Sequence, residues 1–98
     1  MTSKDRSRLM SLAQKIEPVA HIGKASLTPE LTASVEEAIA ARELVKIDVN
    51  KNCMDDLREL GNTLAERTRS QLVQVIGRKI VLYRPAKDPK DRKIGIEV

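Results

Sequence analysis

Aromatic side chains are almost absent from the sequence, which contains no Phe, no Trp and a single tyrosine, Tyr83. RNA-recognition motifs, cold-shock domains and oligonucleotide-binding barrels hold nucleic-acid bases on aromatic side chains. A chain with one aromatic residue cannot build such a platform, so these three classes of base-reading domain are excluded. Tyr83 lies inside an apolar run, and we expect it in the core or at the edge of a sheet.

Cysteine and histidine are equally scarce, with one residue of each, Cys53 and His21. A lone cysteine forms neither an internal disulfide nor a cysteine-based metal cage, and we expect Cys53 to be a buried apolar residue. His21 lies next to Ile22 in an apolar segment, so we expect it to be packed and hydrogen-bonded rather than a catalytic base. We therefore predict that the protein is not an enzyme and uses no metal, no cofactor and no small-molecule substrate.

Long apolar runs are missing as well, and none approaches the roughly 20 residues of a membrane-spanning helix. Charges flank Leu9 and Leu12 near the N-terminus, which therefore lacks the apolar centre of a signal peptide. With 98 residues, 41% of them hydrophobic and 33% charged, the composition is that of one globular domain. We expect a cytoplasmic protein without membrane contact, and a monomer, because no apolar stripe is left over.

Positive charge is concentrated toward one end of the chain, although the net charge is only +4. From Arg78 to Lys93 there are seven Lys or Arg and two Asp, whereas the remaining residues sum to −1. Such a segment favours a polyanionic partner, with a merely solubilising role as the alternative. Because Lys, Asp and Pro dominate after Pro85, we predict a domain over residues 1–85 and a basic, flexible tail over residues 86–98.

Apolar spacing predicts three helices and four strands. Helical periodicity places the helices over residues 3–16, 29–42 and from a cap at Asn52 to about residue 68. Short or alternating apolar runs predict strands over residues 19–22, 44–50, 72–76 and 80–83, with Gly77 opening a two-residue hairpin turn. The order α-β-α-β-α-β-β with right-handed crossovers predicts an α/β (α+β) fold, a four-stranded mixed sheet with helices packed on it.

The turn Gly23-Lys24-Ala25-Ser26 lies between the first strand and the second helix, which Thr28 is expected to cap. Unpaired N–H groups and the helix dipole attract a phosphate at such a position, and Lys24 adds a positive charge. Alternatively, Gly23 only lets the chain turn and Lys24 only faces water. The local pattern does not choose between the two.

Charged residues also cluster at both ends of the third predicted helix. Asp55, Asp56 and Glu59 occupy its first turns, where carboxylates complement the helix dipole. Arg67 and Arg69 at its other end are either the cationic counterpart or an extension of a basic surface toward the hairpin.

Four blocks of residues carry a family resemblance. They are His21-Ile22-Gly23-Lys24 followed by Leu27-Thr28, then the segments over residues 41–46, 70–77 and 80–84. Together, in this order and spacing, they resemble the bacterial YhbY family, the stand-alone form of the CRM domain, named for chloroplast RNA splicing and ribosome maturation. The resemblance covers about residues 6–85. It implies a fold similar to the C-terminal domain of translation initiation factor three.

The resemblance also implies a function in RNA binding. Members of this family are understood to associate with precursors of the large ribosomal subunit. Their loop after the first strand is typically Gly-x-x-Gly, similar to the loop with which KH domains clamp about four backbone nucleotides. Gly23 and Lys24 match that pattern, whereas Ser26 replaces the last glycine. Its side chain limits close backbone approach, and its hydroxyl is expected to donate to a phosphate instead.

We therefore expect a protein that binds RNA, namely ribosomal RNA or a precursor particle of the large subunit, through Gly23, Lys24, Ala25, Ser26 and the helix start at Thr28. Lys24 is the first candidate for phosphate contact. The secondary candidates are Lys4, Arg6, Arg8, Arg42, Lys46, Arg78, Lys79 and Arg84, with the tail from Lys87 to Lys93 as a sequence-independent anchor. The competing hypothesis is a protein-interaction adaptor that docks on a ribosomal protein or assembly factor through the hairpin or a helix face.

Overall fold

The computed structural model, which describes residues 1–96, consists of three helices and one four-stranded sheet in the order α-β-α-β-α-β-β. The elements are α1 (Ser3–Ala13), β1 (Ala20–Ile22), α2 (Pro29–Arg42), β2 (Leu44–Val49), α3 (Leu57–Arg67), β3 (Gln71–Ile76), β4 (Lys79–Tyr83) and a final 3₁₀ helix (Pro89–Asp91). The strand order is β1-β2-β4-β3, with β1 and β2 parallel and the other two pairs antiparallel. The predicted α/β fold with a mixed sheet is confirmed.

Both faces of the sheet carry a core, because successive side chains of a strand point to opposite faces. On one face, Val45 and Ile47 of β2 lie in a cluster with the buried side chains of α2 and α3. On the other face, Leu44 of β2 and Tyr83 of β4 belong to a second cluster with Leu9 of α1. Tyr83 is fully buried, as predicted.

Side-chain caps determine where all three α-helices begin, and Thr2 caps α1. Thr28 caps α2 as predicted, because its hydroxyl accepts the N–H of Leu31 at 3.1 Å. The prediction that Asn52 caps α3 is wrong. Asp56 does so by accepting the N–H of Glu59 at 3.0 Å, and Asn52 lies instead in a turn after β2.

The hairpin between β3 and β4 is the predicted two-residue connection, since Ile76 pairs with Lys79 across it. Gly77 has a φ of 55°, a left-handed conformation that glycine adopts without steric cost. The register of β3 shifts between Leu72 and Gln74, which marks a bulge. The guanidinium of Arg6 donates there to the carbonyl oxygens of Leu72 at 3.3 Å and Val73 at 2.5 Å.

The segment after β4 is held against the domain by a buried carboxylate, that of Glu43 at the C-terminal end of α2. Its oxygens accept the backbone N–H groups of Ala86 at 2.7 Å, Lys93 at 2.7 Å and Ile94 at 3.1 Å. Burial raises the pKa of Glu43, but these three N–H donors and the nearby Arg92 charge outweigh it and bring the pKa below its ordinary value. Glu43 is therefore a charged anchor in the folded protein.

These contacts correct the prediction of a flexible tail. The buried side chain of Ile96 lies in the same cluster as Leu9, and its carbonyl oxygen accepts the Tyr83 hydroxyl at 2.9 Å. Composition suggested a solvated tail because Lys and Asp dominate it, but Ile94 and Ile96 bring it onto the sheet. Residues 86–96 are thus part of the packed structure, while residues 97 and 98 of the predicted tail lie outside the described residues.

Candidate nucleic-acid interface

Three chain connections meet at one end of the sheet. Because β1 and β2 are parallel, the Gly23–Ser26 loop and the turn after β2 leave the sheet at the same end, where the β3–β4 hairpin also turns. The N–H of Asn50 donates to the carbonyl of Ile22 and that of Val49 to the carbonyl of Arg78, each at 2.8 Å. We call the surface made by residues 23–26, 50–53 and 77–79 the loop end of the sheet.

Four cationic residues lie at the loop end: Lys24, Lys51, Arg78 and Lys79. Lys24 and Lys51 are exposed. A cavity of about 490 Å³ between the end of β2 and the hairpin is lined by Lys51, Arg78 and Lys79. Lys79 also contacts the Asp48 carboxylate at 2.5 Å. Exposed ammonium groups such as those of Lys24 and Lys51, without an aromatic side chain beside them, are suited to phosphate oxygens rather than to bases.

Ser26 occupies the strained position of the predicted phosphate loop, with a φ of 60°. Its N–H donates to the carbonyl of Gly23 at 3.0 Å, which closes the turn. The Ser26 hydroxyl is hydrogen-bonded to the carboxylate of Asp55. The expectation that this hydroxyl donates to a phosphate is therefore corrected, because Asp55 accepts it and brings a negative charge beside the loop.

The start of α2 offers fewer free N–H groups than the sequence pattern suggested. The Thr28 side chain accepts the N–H of Leu31, and Pro29 at the first helical position has none. Glu30 adds a carboxylate to the first turn. The loop can therefore contribute to phosphate binding mainly through the charge of Lys24, which is exposed at the tip of the turn together with Ala25.

Three of the candidate arginines hold the fold together. Arg78 donates to the carbonyl oxygens of the turn after β2, with distances of 2.9 Å to Val49, 2.8 Å to Asn50 and 3.0 Å to Cys53. Arg6 binds the β3 bulge. Arg84 donates to the Thr68 carbonyl at 2.7 Å and pairs with Glu36 at 2.7 Å. Their guanidinium groups are engaged by the protein itself, a use that basic composition does not reveal.

The remaining candidates do not form one surface. Lys46 lies in the middle of β2, where it lines a cavity together with Lys79. Lys4 and Arg8 are exposed on α1, and Arg42 is exposed at the last residue of α2, at the opposite end of the sheet. The structure therefore brings Lys24, Arg78 and Lys79 to one end of the molecule, with Lys46 beside Lys79, and separates them from the other candidate cations.

Two features at or beside the loop end were not predicted from the sequence. Lys51 was not a candidate, although the parallel pairing of β1 and β2 places it at the same end as Lys24. His21 was expected to be packed, but its side chain is 61% exposed, with Nδ1 at 3.6 Å from an Asp48 carboxylate oxygen. The alternation of β1 turns Ala20 and Ile22 into the core and leaves His21 on the opposite face.

Within residues 1–96, no helix has the length and apolar character needed to cross a membrane. The same stretch contains no group of three or more His, Cys, Asp or Glu placed to hold a metal ion.

Comparison with known proteins identifies relatives of similar sequence and fold. The Probable RNA-binding protein YqeI of Bacillus subtilis is 38% identical over 90 residues, which cover 92% of this chain and 94% of YqeI. An RNA-binding protein of Haemophilus influenzae is 31% identical over 92% of this chain and 91% of its own length. Among solved structures, the hypothetical protein SAV1595 of Staphylococcus aureus matches with a TM-score of 0.79 and 42% identity over 95% of this chain and 97% of its own.

The family comparison covers most of the chain. The sequence profile of the CRS1 / YhbY (CRM) domain matches residues 1–84, which include all three helices and all four strands. The relatives above extend the similarity to nine-tenths of the chain. The protein therefore belongs to the CRS1 / YhbY (CRM) domain family.

Proposed function

We propose that this protein binds RNA through backbone phosphates at the loop end of the sheet. The observation that carries the proposal is the convergence of Lys24, Lys51 and Lys79 on a surface without aromatic side chains, beside the turn that resembles a KH-type phosphate loop. Relatives that align over nine-tenths of the chain are named as RNA-binding proteins, which supports an RNA partner. Binding through phosphates predicts little dependence on base sequence.

Salt dependence tests this mechanism directly. If Lys24, Lys46, Lys51 and Lys79 each neutralise one phosphate of single-stranded RNA, the slope of log affinity against log salt should be roughly −3. The slope is measured by fluorescence anisotropy with a labelled RNA oligonucleotide at several KCl concentrations. A slope near zero would exclude phosphate contact as the source of affinity.

Charge removal at the loop separates a local contact from a general charge effect. Lys24→Gln should weaken RNA binding by roughly two- to fivefold, the value of one exposed ion pair, because Lys24 is the cation at the tip of the turn. Lys15→Gln is the matched control, since Lys15 is exposed and lines a cavity with Arg42 and Leu44 at the opposite end of the sheet. Equal losses in the two variants would show that net charge, not the loop, determines affinity.

Removing the negative charge of Asp55 should have the opposite effect on RNA binding. Asp55→Asn removes the negative charge that Ser26 holds beside the loop, so RNA binding should strengthen by roughly two- to fivefold at low salt and by less at high salt. Weaker binding in this variant would mean that the Ser26–Asp55 contact shapes the loop for RNA, and that its charge is of minor importance.

For the RNA itself, we propose ribosomal RNA within precursors of the large ribosomal subunit. The support is the resemblance in the loop and strand blocks described above. Sedimentation of cell lysate at low and high salt compares the wild type with Lys24→Glu. The wild type should travel with large-subunit precursors and be released by salt, and the variant should stay at the top. Association that survives both nuclease and salt would favour a protein-interaction adaptor instead.

A further inference from the structure

We propose that a cleft at the opposite end of the sheet binds a further RNA phosphate, in addition to those at the loop end. The cleft has a volume of about 460 Å³ and lies between α2, the turn after α3 and the chain that follows β4. Its cationic lining residues are Arg69, Arg84 and Lys87. This inference rests on the proposed RNA-binding function and adds a contact site to it.

The walls of the cleft are fixed by hydrogen bonds. The Thr68 hydroxyl donates to the Leu64 carbonyl at 2.7 Å, and the Thr68 carbonyl accepts the Arg84 guanidinium at 2.7 Å. On the other wall, Glu43 accepts the N–H of Arg84 at its backbone carbonyl, at 2.8 Å, and the N–H of Ala86 at its carboxylate, at 2.7 Å. The site is therefore preformed, and binding an anion requires little ordering of the backbone.

Charge in the cleft is unbalanced. Arg69 and Lys87 are exposed, and within residues 1–96 neither side chain forms an ion pair. Arg84 pairs with Glu36, whose side chain is 45% exposed. Together these four groups sum to +2. An ion pair with an exposed carboxylate such as Glu36 is weak, so a phosphate can also bind the Arg84 guanidinium. Arg69 and Lys87 then contact the phosphate from the two sides of the cleft.

The cleft and the loop end are separate contact sites. The six residues of β2 between them span about 17 Å, at roughly 3.3 Å per residue. One phosphate cannot reach both sites, and substitutions this far apart should have additive effects on the free energy of binding.

The test variant removes charge without loss of the fold. Arg69 has a φ of 54°, a conformation that glycine adopts without steric cost, so Arg69→Gly should fold normally. Arg69→Gly/Lys87→Gln removes the charges on both sides of the cleft. The matched control, Arg67→Gln/Lys90→Gln, removes two exposed charges from the neighbouring helices outside the cleft.

The first measurement is an NMR titration with inorganic phosphate. In the wild type and in the control, the backbone amides of residues 69 and 86–87 should shift saturably, and in the cleft variant they should not. Absence of shifts in the wild type, or equal shifts in the cleft variant, would overturn the site. Thermal melting of each variant verifies that it is folded.

The second measurement uses labelled single-stranded RNA. The cleft variant should bind roughly four- to twentyfold more weakly and reduce the salt slope by about 0.7, the value of one phosphate, with the same factor in a Lys24→Gln background. If RNA binds the wild type and the cleft variant alike, the cleft proposal fails while the proposed function stands. If RNA does not bind the wild type, the proposed function fails, and RNA as the source of the phosphate fails with it.

Discussion

Replacing Glu43 with Gln should destabilise the protein by about 2 kcal/mol. The two carboxylate oxygens of Glu43 accept three backbone N–H groups from the C-terminal segment, one at Oε2 and two at Oε1. A glutamine presents an oxygen on one side only, so its NH₂ group faces an N–H on the other. A buried donor left without an acceptor costs about 1–3 kcal/mol, and the loss of charge-assisted bonds adds to this.

Urea unfolding measures the effect. With a denaturant dependence of about 1–3 kcal/mol per molar, a loss of about 2 kcal/mol lowers the midpoint by roughly 1 M. Hydrogen exchange shows where the structure is weakened, since the amides of Ala86, Lys93 and Ile94 should lose protection first in Glu43→Gln. Glu37→Gln is the control, because Glu37 lies on the same helix but is exposed.

The stabilisation that Glu43 provides should decrease as the pH falls. The pKa of Glu43 in the folded state lies below its ordinary value of 4.5, so the unfolded state binds more protons between the two values. Its stabilisation is complete above about pH 4.5 and is lost as the pH falls through the folded pKa. The difference in free energy of unfolding between the wild type and Glu43→Gln should therefore become smaller at acidic pH. A midpoint unchanged by Glu43→Gln at pH 7, with normal amide protection, would refute the anchoring role.

Three further substitutions test contacts within the fold by chemical denaturation. Arg78→Lys should lower the free energy of unfolding by about 1–3 kcal/mol, because one ammonium group cannot donate to the three carbonyls that the guanidinium reaches. Stability equal to the wild type would mean that these hydrogen bonds are dispensable. Gly61→Ala should lower the free energy of unfolding by about 1 kcal/mol. An added Cβ would lie 2.9 Å from Leu72 Cδ1, and the cost of this overpacking exceeds the gain in helix propensity. A more stable variant would show that Leu72 repacks freely. Tyr83→Phe removes the hydrogen bond to the Ile96 carbonyl and should lower the free energy of unfolding by about 1 kcal/mol. Val81→Ala is the comparison, because it changes the neighbouring packing and leaves that hydrogen bond in place.

Most of the fold was accessible from the sequence because it rests on local patterns. The apolar spacing of α2 and its Thr28-Pro29 start predicted the residues at which that helix begins and ends. The alternation of β2 predicted which side chains enter the core, and Gly77 predicted the hairpin turn. Each of these signals lies within a few residues of the structure that it specifies.

The candidate site was only partly predictable, since residue type does not reveal a partner distant in sequence. Lys24 was identified from its turn, but Lys51 joins it only through the pairing of β1 with β2. Arg6 and Arg78 were identified as RNA candidates by charge alone. The structure shows them bonded to backbone carbonyls 25 or more residues away.

The sequence by itself therefore determined the order of helices and strands, the absence of an aromatic base platform and the family. Only the tertiary structure decided which charges are engaged and which remain exposed at the surface. Glu43 illustrates the reason. It looks like an ordinary charged residue at a helix end, and nothing near it in sequence reveals its partners. Its burial and its bonds to Ala86, Lys93 and Ile94 exist only once the strands between them have paired.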